Sequence, residues 1–204
     1  MAQSQPNLPI DEATYARLAE ESETRLEWIG GQIVAMAGAS RTHNDLSGEI
    51  VTAMNNGLRG SGCRATPADF RVHVEATGDN YYPDIVVACK DARLHDSLPH
   101  TLLTPVIIVE ILSPSTQKKD RENKVTAYQS IPSLQHYLLV SQDRVLVHQY
   151  ARADETRWEF RKYHWRREVI EFDSPKFSLS VGDMYYDIAV PEGLTLVPMP
   201  QDSE

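Results

Sequence analysis

Residues 105–112, PVIIVEIL, set a single carboxylate, Glu110, inside an otherwise apolar run. Such a run, ended by the Ser-Pro-Ser-Thr of 113–116, predicts a strand buried on both faces. An ionised carboxylate in such a strand is costly unless something pairs with it. Residues 81–89, YYPDIVVAC, repeat the pattern, with Asp84 behind Pro83 at the start of a second continuous apolar run. On adjacent strands, two such acids can share one divalent cation. Mg²⁺ suits them, because it takes a few carboxylate or carbonyl oxygens and keeps positions for water and substrate. An ion so placed would polarise a phosphoryl oxygen and acidify a bound water.

That chemistry also needs a positive group near the water or the phosphate. The segment KKDRENKVTAYQS, residues 118–130, reads as a helix after the Glu110 strand and carries Lys124. Asp120 lies four positions earlier, on the same helix face. The pair reads either as a surface ion pair of small energy or as Lys124 turned into the site with Asp120 beside it.

Outward from these strands the pattern stays mixed. Residues 10–21 have amphipathic helical spacing, with Asp11 as a cap. LEWIGGQIVAMAG, 26–38, reads as two short strands turned at Gly30-Gly31. Residues 40–58 carry Leu46, Ile50, Met54 and Leu58 on one helical face, capped by Ser40 or Thr42. CRATPADFRVHVEA, 63–76, alternates at Phe70, Val72 and Val74 as a half-buried strand does. Residues 90–104 read as a polar loop. HYLLVS and RVLVHQY are strands with a short turn near 142–143, and WEFRKYHW and REVIEF continue the antiparallel pattern. The order predicts an α/β fold, a mixed central β-sheet flanked by helices. Residues 1–9 read as a flexible N-terminal arm, 10–190 as one domain, and 191–204 as a C-terminal tail.

The chain has 204 residues, 41% hydrophobic and 24% charged, with a net charge of −9. That balance excludes a general nucleic-acid coat, which needs clustered Lys and Arg, but leaves room for a local basic cleft. No apolar run approaches the ~20 residues of a membrane helix, and the first residues lack signal-peptide features. A cytoplasmic location is expected. The two cysteines, Cys63 and Cys89, sit in no CxxC or Cys/His cluster and read as small buried hydrophobes.

The strings YYPDIVVAC, PVIIVEILSPST and IPSLQHYLLVSQDRV resemble the Uma-two family of endonucleases, within the PD-(D/E)XK restriction-endonuclease-like superfamily. The spacing of Asp120, Lys124 and Tyr128 fits, as do RLEWIGGQIVAMAGAS, His43 and CRATPADFRVHVEA. The likeness runs from about residue 10 to about residue 190. It implies a restriction-endonuclease-like sheet with the acidic site at one end, and Mg²⁺- or Mn²⁺-dependent hydrolysis of nucleic acid, DNA above all, by a homodimer. Pro83-Asp84 matches the PD and Glu110 the second acid. The position of the usual lysine holds Leu112, and the family's displaced lysine corresponds to Lys124. The resemblance implies Asp84, Glu110 and Lys124 as catalytic residues, with Asp84, Glu110 and the backbone carbonyl of Ile111 as metal ligands. Asp69, Glu27 and His43 match further polar positions of the family, in supporting roles. Leu112 and the acidic surface also suit a different outcome, a catalytically inactive binding or regulatory module on the nuclease fold.

Other polar residues have plainer readings. Ser113 and Ser115 sit in no Gly-x-Ser-x-Gly elbow and read as cap and turn residues. Arg157, Arg161, Lys162, Arg166 and Arg167, interleaved with Trp158, Tyr163 and Trp165, read as a solvated face or as a phosphate-binding one with stacking aromatics. Tyr128 reads first as a packing residue between helix and sheet, and second as a hydroxyl that reaches the site.

Overall fold

In the computed structural model the described residues are 9–36, 38–67, 70–112 and 124–193. Helix α1 (Glu12–Glu21) leads into strands β1 (Leu26–Ile29) and β2 (Gln32–Ala35), followed by helix α2 (Arg41–Gly57). Strands β3 (Cys63–Pro67), β4 (Arg71–Val74), β5 (Asp79–Tyr81), β6 (Ile85–Cys89), β7 (Thr101–Leu102) and β8 (Ile107–Leu112) come next. Helix α3 is described over 124–129. Strands β9 (His136–Ser141), β10 (Val147–Arg152), β11 (Trp158–Tyr163), β12 (Val169–Asp173) and β13 (Lys176–Ser180) precede a short helix α4 (Val181–Met184).

The local signals act where the sequence puts them. Asp11 caps α1 by accepting the Thr14 N–H at 2.8 Å, and Ser40 caps α2 through the His43 N–H at 3.1 Å. Gly30 and Gly31 turn the first hairpin with φ of 57° and 77°, a left-handed conformation that glycine adopts without penalty. The region expected to be a loop, 90–104, contains the two-residue strand β7.

The strands form two larger sheets rather than one. The six-stranded sheet runs β11-β10-β9-β8-β6-β3, and the five-stranded sheet runs β2-β1-β5-β4-β7. Strands β8 and β9 lie at the centre of the first, paired in parallel and buried along their whole length. Side chains alternate between faces. Ile107, Val109 and Ile111 point to the layer made by α2, β12, β13 and α4, with Leu46, Ile50, Met54, Phe172 and Phe177. Ile108 and Leu112 point to the opposite layer, with Val72, Tyr81, Ala127 and Tyr128 from the second sheet and α3. Glu110 falls between them in sequence and shares that second face.

Two expectations are corrected. REVIEF does not extend the large sheet. As β12 it pairs only with β13, in a separate hairpin whose Ile170 and Phe172 cover the first face. The two cysteines are not separate buried hydrophobes. Cys63 and Cys89 are register partners on β3 and β6, half-buried, and joined by a disulfide.

Candidate active site

The register between β6 and β8 brings the two strand acids together. Ile85 pairs with Val109 in this antiparallel ladder, which sets Asp84, one residue before β6, opposite Glu110. Asp84 Oδ2 accepts the Ile111 backbone N–H at 2.7 Å. The N–H and C=O of one strand residue point to the same side, so the Ile111 carbonyl is directed toward the Asp84 end of β6. The other carboxylate oxygen of Asp84 lies 3.1 Å from His43 Nε2. The Ser40 cap fixes the helix turn that presents this histidine.

Glu110 has a second set of partners. Its Oε1 accepts from Lys124 Nζ at 3.1 Å and from the Tyr128 hydroxyl at 3.0 Å. Lys124 and Tyr128, four apart, lie on one face of α3. Lys124 Nζ also reaches Glu27 Oε1 at 3.0 Å, and that oxygen accepts the Tyr82 backbone N–H at 3.0 Å. One ammonium therefore stands between two carboxylates drawn from β1 and β8.

These groups are largely removed from water, with relative exposures of 6% for Glu27, 9% for Asp84, 7% for Glu110 and 8% for Lys124. Burial pushes the Glu110 carboxyl well above its ordinary range. Lys124 opposes that rise, while Asp84 and Glu27 add to it by like-charge repulsion. The hydrogen bond to Asp84 raises His43, against the opposing effect of burial. Among the described residues, the Nδ1 of His43 is buried without a hydrogen-bond partner.

His43 stands against Asp84, and Lys124 against Glu110 and Glu27. Among the described residues, no three His, Cys, Asp or Glu side chains are gathered so as to hold an ion by themselves. The oxygen donors that the β6–β8 register sets on neighbouring strand positions are Asp84, Glu110 and the Ile111 carbonyl. This is a hard set, small enough that Mg²⁺ would keep several waters, which is its habit.

Of the residues singled out in the sequence, the structure brings together Asp84, Glu110, Ile111, Lys124, Glu27 and His43. Asp69 and Asp120 lie outside the described residues, as do Ser113 and Ser115. Tyr128 packs between Tyr81 and Tyr137, the reading preferred from sequence, and its hydroxyl, the other option that the sequence offered, reaches Glu110 as well. One contributor escaped the sequence reading: Tyr82 supplies a backbone N–H, which no side-chain pattern signals.

Comparisons place this geometry in context. The Uma2 family model, described as "Putative restriction endonuclease", matches residues 12–182. Uncharacterized protein slr1290 of Synechocystis sp. (strain ATCC 27184 / PCC 6803 / Kazusa) is 33% identical over 184 residues, covering 90% of this chain and 94% of that protein. Uncharacterized protein sll1609 of the same organism is 27% identical over 164 residues, covering 80% and 93%. A crystal structure titled as a putative nuclease belonging to DUF820, from Anabaena variabilis ATCC 29413, superposes with a TM-score of 0.65 at 21% identity. It covers 80% of this chain and 91% of its own, a likeness of fold. With the matched region spanning both acid-bearing strands and Lys124, this chain belongs to the Uma2 restriction-endonuclease family.

Proposed function

We propose that this protein is a divalent-metal-dependent nuclease that hydrolyses phosphodiester bonds, with DNA as the substrate. The observation that carries the reading is the meeting of Asp84 and Glu110 across the β6–β8 register, with the buried ammonium of Lys124 beside them. Asp84, Glu110 and the Ile111 carbonyl would hold Mg²⁺ or Mn²⁺. The bound ion supplies Lewis acidity toward a phosphoryl oxygen and a more acidic water.

The chain's own groups do the positioning. Lys124 holds the attacking water or offsets the charge that builds on the phosphate. Glu27, itself fixed by the Tyr82 N–H, keeps the Lys124 ammonium beside Glu110. The Tyr128 hydroxyl fixes one oxygen of Glu110, leaving the other for coordination. His43 orients Asp84 from the opposite side. Asp69 and Asp120 belong to the same reading as supporting acids, on sequence grounds. The reading extends to a homodimer working in the cytoplasm.

A cleavage assay on plasmid and linear DNA with Mn²⁺ tests the proposal. Activity in the wild type and its loss in Asp84→Ala and Glu110→Ala is the expected result, and equal rates in all three proteins would overturn it. A second reading, a catalytically inactive module, is favoured by one observation: both oxygens of Asp84 already have protein partners. Calorimetry that finds metal binding without cleavage would select it.

A further inference from the structure

The basic and aromatic stretch near 157–167 is divided by the fold into spent and available parts. Arg157 pairs with Asp154 at 3.2 Å and Arg161 with Glu159 at 2.7 Å. Arg166 pairs with Glu192 and donates to the Ile188 carbonyl, and Arg167 lies over the Trp165 ring. Lys162 is likewise exposed, lies over the Phe160 ring at 5.4 Å and, like Arg167, has no carboxylate partner among the described residues.

Lys162 also shares a line with the candidate site. Across the sheet Glu110 pairs with Leu139, Leu139 with His148, and His148 with Lys162. Glu110 and Lys162 are thus three strand spacings apart, about 14 Å. Ring contacts trace the same face, from Tyr128 to Tyr137, Tyr137 to Tyr150, and Tyr150 to Phe160. On the outer two strands this face carries the exposed Phe160 and Lys162 and the half-buried Trp158 of β11, above the buried His148 and the half-buried Tyr150 and Arg152 of β10. Among the described residues, these two strands place no carboxylate on it, in a chain with a net charge of −9. The acid of β11, Glu159, alternates to the other face. Phe160, although held by Tyr150 and His148, remains 47% exposed.

From this we infer that the β10–β11 face is a docking track for an unpaired nucleic-acid strand, with a base stacked on Phe160 and a phosphate on Lys162. A cation beside an exposed ring is how sequence-tolerant single-strand binding is built. A second copy adding a strand to the β11 edge is disfavoured, because Glu159, Arg161 and Lys162 place charges along that edge. The inference rests on nucleic acid being the substrate but not on cleavage.

The test is fluorescence anisotropy of a labelled single-stranded DNA oligonucleotide with full-length protein in EDTA, so that only binding is read. Phe160→Ala is expected to weaken binding about tenfold, and Phe160→Trp to restore it. Lys162→Ala is expected to weaken binding and to lower the log–log salt slope by about 0.7. Both side chains are exposed, and unchanged melting curves confirm that the variants fold. Unchanged affinity in both Ala variants overturns the inference. So does a change in sedimentation mass on Phe160→Ala with affinity unaltered, which marks the face as a self-association surface. Absence of DNA cleavage by a protein that shows the expected binding losses would count against the nuclease reading alone.

Discussion

Lys124 and Glu110 form a buried ion pair at 3.1 Å in which the lysine is shared with a second acid, Glu27, at 3.0 Å. The carboxylates of Glu27, Asp84 and Glu110 meet the Lys124 ammonium and the His43 ring in one largely desolvated region. Their mutual compensation governs stability as well as chemistry.

Removing the shared cation should be costly. Lys124→Met leaves Glu110 and Glu27 buried without their ammonium, a change that typically destabilises by about 3–5 kcal/mol. Urea unfolding in EDTA is expected to show a loss in that range. Adding Glu110→Gln to Lys124→Met should recover part of it, because one of the two stranded charges is gone. A double variant no more stable than the single would show that Glu110 is not the group that Lys124 compensates.

Divalent metal should stabilise the folded protein through Asp84 and Glu110. A ligand at a hundred times its Kd adds about 2.7 kcal/mol. Melting temperature is therefore expected to rise with Mn²⁺ in the wild type and to stay flat in Asp84→Asn and Glu110→Gln. His43→Ala removes the group that orients Asp84 and is expected to weaken Mn²⁺ binding in calorimetry. Tighter binding in that variant would instead make His43 a competitor for the acid.

A histidine far from this site sets an acid limit on stability. His136 is 3% exposed, packed edge-on against Phe172 and bonded to Gln149. Burial lowers its pKa from 6.5 to about 4. The folded state favours the neutral ring, so its contribution is complete above pH 6.5 and is lost as pH falls from 6.5 through 4. That window is worth roughly 3 kcal/mol. Chemical denaturation across pH 4–7 should show this slope in the wild type and a shallower one in His136→Gln.

At the end of α2, Gly57 is a packing requirement rather than a flexible point. A Cβ there would stand 2.6 Å from Phe177 Cδ2. Gly→Ala in a helix ordinarily stabilises by up to about 1 kcal/mol, but overpacking costs about 1–3 kcal/mol. Gly57→Ala is expected to lower stability in urea, and Phe177→Leu in the same chain to relieve part of the loss.

The sequence by itself determined the local pieces. Asp11 and Ser40 cap helices, Gly30-Gly31 turns a hairpin, and the apolar runs around Asp84 and Glu110 become interior strands. Each of these depends on conformational preferences or face patterns that act over a few residues. The two acids were legible for the same reason, as charges in runs that otherwise exclude water. Only the tertiary structure decided that Lys124 is shared with Glu27, 97 positions away, that Tyr128 adds a hydroxyl to its packing role, that Cys63 faces Cys89, and that β12 leaves the large sheet. Such pairings are selected by desolvation. The cost of an uncompensated charge or polar atom arises when packing removes water, and only then is it settled which partner offsets it.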